Sequence, residues 1–94
     1  MNSAGSVFKN PALKDCQRLW GEQKSAGWIV DQVLGLKGLM EGDAQISPLH
    51  ANFIVNNGHA AASEYLKLVR LVQSAAQEKL GLFLEPEVKF LGQF

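Results

Sequence analysis

The chain holds one cysteine, Cys16, so an internal disulfide framework is excluded and a reducing compartment suits it. It has no excess of charge: nine basic and nine acidic side chains cancel to zero. That balance argues against a nucleic-acid or membrane-surface binder, which would carry a basic patch. No apolar run approaches the roughly 20 residues needed to span a bilayer. The first residues, Met1-Asn2-Ser3-Ala4-Gly5, lack the basic segment and apolar core of a signal peptide. His50 and His59 stand apart from any cysteine or acid at ligand spacing, so no metal site is expected. There is no Gly-x-Ser-x-Gly elbow, no phosphate loop, no dinucleotide fingerprint, no repeat and no low-complexity tract.

What remains is 94 residues at 47% apolar with a mean hydropathy near zero. This is one globular domain, residues 1–94, with material for one modest core.

Residues 6–10, Ser-Val-Phe-Lys-Asn, read as a short strand closed by Pro11. Alternation puts Ser6, Phe8 and Asn10 on one face and Val7 and Lys9 on the other, with Ser6 and Asn10 roughly 13 Å apart at ~3.3 Å per residue. Residues 11–24 have no clean period and read as a surface excursion with at most a turn or two of helix. Residues 25–36 form a helix: Ser25 is a candidate N-cap, Ala26, Ile29, Val30 and Val33 keep helical spacing, and Trp28 reads as packing. Gly35 and Gly38 bracket its end, with Lys37 placed to meet the last carbonyls.

Ala44-Gln45-Ile46-Ser47 follows as a short strand after the turn Glu41-Gly42-Asp43. Residues 51–56, nearly continuously apolar or β-branched, suit a central strand buried on both faces. Residues 63–80 form a second helix with Tyr65, Leu68, Val69, Val72, Ala76 and Leu80 along one stripe. Residues 82–91 read as the last strand, edge or irregular at Pro86. The order strand, helix, strand, strand, helix, strand gives an α+β domain of two layers, two helices on one face of a small mixed sheet.

The chemistry-bearing residues gather at the two ends. Glu85 and Glu87 share a strand face with Lys89, which suits either a solvated face with a weak ion pair or a carboxyl group held near a reacting centre. Ser6, with no base nearby in sequence, suits a turn as readily as a reaction. His59 beside Asn57-Gly58 reads as surface, and His50 stands just before the central strand, where it can face a cleft.

Four blocks in one order carry a resemblance. They are Ala4-Gly5-Ser6-Val7-Phe8-Lys9-Asn10-Pro11; Ala26-Gly27-Trp28-Ile29-Val30-Asp31-Gln32 with Gly35-Leu36-Lys37-Gly38; Ala44-Gln45-Ile46-Ser47 with His50-Ala51-Asn52-Phe53-Ile54-Val55-Asn56; and Leu84-Glu85-Pro86-Glu87-Val88-Lys89-Phe90. Together they resemble the C-terminal, substrate-binding domain of UDP-N-acetylenolpyruvoylglucosamine reductase, also called UDP-N-acetylmuramate dehydrogenase. The resemblance implies a bacterial cytoplasmic flavoenzyme of peptidoglycan synthesis, using FAD and NADPH. It implies that Ser6 protonates C2 of the enolpyruvyl group, that Glu87 stabilises the enolate, and that Asn10 and His50 contact the substrate, UDP-N-acetylenolpyruvoylglucosamine. A serine hydroxyl is a poor acid in water, so that role needs a pre-organised geometry.

The glycine-rich, FAD-binding region of that family has no counterpart here, and Asp43 stands where the family usually has a glycine. The resemblance therefore implies an excised domain, a truncated frame or half of a split protein, with no cofactor bound by this chain alone and no activity until the missing FAD-binding domain is supplied. A catalytically incomplete module that binds a UDP-sugar or a protein partner is the alternative.

Overall fold

The computed structural model describes residues 2–87. Four strands form one sheet: β1 (Asn2–Ser6), β2 (Met40–Glu41), β3 (Ala44–Ile46) and β4 (Phe53–Asn56), in the order β1-β4-β3-β2. Every described pairing is antiparallel, where a mixed sheet was expected. The helices are α1 (Leu13–Trp20), α2 (Ala26–Trp28, continuing as a π-helical turn over Ile29–Val33) and α3 (Ala62–Leu80). The α+β, two-layer architecture read from the sequence is the one observed.

The core is where the periodicities point. Tyr65, Leu68, Val69, Val72 and Ala76 of α3 are buried, and they pack with Ile29 and Val30 against Ala44, Ile46 and Ile54 of the sheet. Burial of such side chains contributes about 1.5–3 kcal/mol each, which is what holds a domain of this size together. β4 is the central strand, flanked by β1 and β3, and both Ile54 and Val55 are buried, as its unbroken apolar run requires.

The β2–β3 hairpin turns on Gly42 and Asp43, with Glu41 opposite Ala44. Only Gly42 needs positive φ, at +56°, so a second glycine at position 43 is unnecessary. Asp43 instead ties the hairpin to the β4–α3 loop: its Oδ2 accepts from His59 N at 2.9 Å and its carbonyl from Asn57 N at 2.8 Å. Glu64, three residues into α3, accepts from Ala61 N at 3.0 Å and caps the helix from within.

Four further expectations differ from the structure. β1 ends at Ser6 instead of beginning there, and a register shift between Ser3 and Ser6 breaks the alternation. Val7 and Phe8 are both buried, at 1% and 3% exposed, and both belong to the one core cluster. Residues 82–87 make a single antiparallel bridge, Phe8 with Pro86, in place of a strand, although Leu82 and Leu84 are buried and Phe83 exposed. Val88, Lys89 and Phe90 lie outside the described residues. The helix expected over residues 25–36 is short and ends in the π turn, closed by Leu34 N to Ile29 O at 2.9 Å. Gly35, at φ +66°, stops it as expected. Lys37 does not meet its last carbonyls; it pairs with Asp31 at 3.4 Å, and Lys79 from α3 donates to Val33 O at 3.0 Å. Among the described residues no helix is long and apolar enough to cross a membrane.

Candidate functional site

The segment after β1 is held from both sides. On one side stands Asn52: Val7 N donates to its carbonyl at 2.8 Å, and its carboxamide makes a reciprocal pair with Phe8, Phe8 N to Oδ1 and Nδ2 to Phe8 O, each 3.0 Å. On the other side stands the C-terminal segment: Lys9 N donates to Glu85 O and Glu87 N to Val7 O, both at 2.8 Å. The two ends of the chain therefore meet around residues 6–10. In a regular strand successive residues turn their backbone groups to opposite edges. Val7 N and both Phe8 groups turn to one neighbour, which is the local form of the irregularity at Ser6.

Asn10 closes this segment onto the next element. Its Oδ1 accepts from Ala26 N at 2.9 Å, while Ser25 Oγ accepts from Trp28 N at 3.1 Å, so two amides of the first turn of α2 are taken by side chains. Ser25 is thus the N-cap that the sequence suggests. Asn10 and Ser25 together line an open cleft of about 370 Å³, whose other walls are Trp28, Asp31, His50, Asn52 and Phe53.

His50 is placed by its loop. Ser47 is buried, and its Oγ accepts from both Leu49 N and His50 N at 3.1 Å. The exposed imidazole leans on Phe53 with ring centroids 5.6 Å apart. Across the cleft Trp28 packs edge-on against Trp20 at 5.3 Å and carries the Lys24 ammonium 4.4 Å above its ring, so it is both a packing residue and a cleft wall. His59 is exposed, as read.

Ser6 is exposed and stands directly opposite Phe53 in the β1–β4 ladder. Directly opposed residues share a face, so Ser6 lies on the side of the sheet where Phe53 meets the cleft. Glu87 is half-buried and reaches the neighbourhood through its amide on Val7. Glu85 follows the solvated-pair reading, with Lys9 as its partner at 3.1 Å. The Glu85 hydrogen bond, then its charge and, more weakly, that of Glu87 hold the Lys9 ammonium above its usual pKa. Asn10 and His50 are thus brought to one cleft, Ser6 to its Phe53 side, and Glu87 to the far edge of the segment that carries Ser6. Asn52 and Asp31 are cleft residues that the sequence reading passed over. A lone carboxamide inside Ala51-Asn52-Phe53-Ile54-Val55 was the available signal, because a polar group in an apolar run needs a partner.

Ala26 N and Trp28 N at the start of α2 donate to Asn10 and Ser25, and Ala61 N just before α3 donates to Glu64, so these three amides are not open to a diphosphate. Among the described residues no group of three or more His, Cys, Asp or Glu is placed to hold a metal ion.

Residues 1–91 match the family model described as UDP-N-acetylenolpyruvoylglucosamine reductase, C-terminal domain. The UDP-N-acetylenolpyruvoylglucosamine reductase of Nostoc punctiforme is 49% identical over 92 residues, covering 98% of this chain and 24% of the relative. That of Trichormus variabilis is 48% identical with the same coverage. Among solved structures, the crystal structure of the reductase from Thermus caldophilus superposes with a TM-score of 0.63 at 50% identity, covering 90% of this chain and 26% of the other. The chain spans about a quarter of the length of the relatives it matches.

Proposed function

The chain belongs to the family of UDP-N-acetylenolpyruvoylglucosamine reductase C-terminal domains, and on that premise we propose that it is the substrate-side domain of such a reductase. In this reading the enolpyruvyl ether of a UDP-sugar lies along residues 6–10. Ser6 gives its hydroxyl proton to C2 of the enolate, and the Glu87 carboxyl stabilises the enolate oxygen. Asn10 contacts the substrate at the other end of the segment, and His50 lines the same site. FAD and NADPH would supply the reducing equivalents in the complete enzyme and would be held by protein outside this chain.

One observation carries the reading. The segment bearing Ser6 and Asn10 is bonded to Asn52 on one edge and to Glu85 and Glu87 on the other. Three of the four sequence blocks thereby converge on one place, and Asn10 bridges to the fourth through Ala26. Pre-organisation of this kind is what a weak acid such as serine needs to protonate a carbanion.

A cleft formed without any second domain favours a companion reading, in which the lone chain holds a UDP-sugar without chemistry. Titration of the chain with UDP-N-acetylglucosamine, followed by amide chemical shifts, tests it. Shifts at Ala26, His50 and Phe53 are expected. Shifts confined to other surfaces, or none at millimolar ligand, contradict binding by the lone domain.

A further inference from the structure

We propose that Asn52 is a positioning residue that holds the segment joining Ser6 to Asn10, and with it Asn10 at the cleft. The inference rests on the substrate-domain reading for what those two residues do, and on the hydrogen bonds alone for where they stand.

The regular pairing of β1 with β4 stops at Ser6 and Phe53. Past that point no strand residue faces Phe8. The Asn52 carboxamide takes its place, offering Phe8 one acceptor and one donor at 3.0 Å each, as an opposing peptide group would. Its own carbonyl takes Val7 N at 2.8 Å. One residue thus fixes the two consecutive residues that separate Ser6 from Lys9 and Asn10. It is partly buried and forms part of the cleft wall, and a Cβ on Gly27 would stand in ordinary contact with it, 3.5 Å from the Asn52 Cβ. Asn52 therefore lies between the β1 extension and the start of α2, where Asn10 binds Ala26 N. No other side-chain type of this size has both a donor and an acceptor in one plane. Aspartate keeps the shape and loses the donor whenever it is ionised.

Amide hydrogen exchange on the 94-residue chain tests this without a ligand. In Asn52→Ala, the protection factors of Phe8 and Ala26 should fall by about tenfold or more, the size of one lost hydrogen bond, while Val69 and Val72 in α3 keep theirs. In Asn52→Asp, Ala26 protection should be low at about pH 7 and recover near pH 4, where the protonated carboxyl regains a donor. Unchanged protection at Phe8 and Ala26 in both variants would overturn the proposal. So would a parallel fall at Val69 and Val72, which marks Asn52 as a contributor to global stability only. Because these readouts need no ligand, absence of UDP-sugar binding would count against the functional reading and not against this one.

Discussion

Gly42 is tied to its residue type twice, by backbone angle and by space. Its φ of +56° is in the left-handed region, and a Cβ there would run into the Glu64 carboxylate. Gly42→Ala should therefore cost about 1–3 kcal/mol, read as a fall in the urea midpoint with an unchanged slope. Tyr65 makes a second prediction. Burial pushes its phenol above the usual value, so the fold favours the neutral form. The unfolded chain loses that proton first. Stability from this source is fully present below about pH 10 and is lost as pH rises beyond it, by up to ~1.4 kcal/mol per pH unit. Thermal unfolding from pH 8 to 11 should show the decline, and Tyr65→Phe should flatten it. Some of this was legible in the sequence. The Glu-Gly-Asp turn and the Ser25 cap follow from local chemistry that a short window contains. The burial of both Val7 and Phe8 does not, because their partners lie far along the chain, Asn52 44 positions away from Phe8 among them.

Elements differ in how far their sequence specifies them. α3 runs 19 residues with an uninterrupted apolar stripe, and its ends coincide with the read boundaries to within one residue. Its stripe is also its energetic role: Leu68 is wholly buried against the sheet, so Leu68→Ala should cost about 2–5 kcal/mol. That is a large share of the roughly 5–15 kcal/mol available to a domain, and calorimetry at neutral pH should show a greatly lowered Tm or no cooperative transition. α2 has the same kind of stripe over fewer residues. There Gly35 ends the helix and the backbone widens into a π turn, with Asp31 carried to the cleft beside Trp28. Apolar spacing reports which face is buried and is nearly blind to one added residue per turn. The last element shows the opposite failure: residues 82–84 have strand alternation, yet among the described residues the segment makes one bridge, at Pro86.

At the scale of the whole molecule, the fold serves to bring the chain's two ends together. Neither end builds a site alone. Residues 6–10 have no regular partner past Ser6, and residues 82–87 form no strand, but each satisfies the other's backbone through Val7, Lys9, Glu85 and Glu87. The sequence resemblance anticipates that meeting; composition and periodicity alone reach only as far as an α+β domain with a polar cleft. In the proposed function this meeting presents Ser6 to a substrate shared with protein outside the chain. The most direct measurement is steady-state turnover of UDP-N-acetylenolpyruvoylglucosamine with NADPH, after mixing the chain with the flavin-bearing remainder of a related reductase. Turnover is expected with the wild-type chain, none with the chain omitted, and a loss of at least ~10²-fold with Ser6→Ala, the scale of general-acid contributions, while UDP-sugar binding by the assembled enzyme is retained. Full turnover by Ser6→Ala in the reconstituted enzyme would contradict the proposed function.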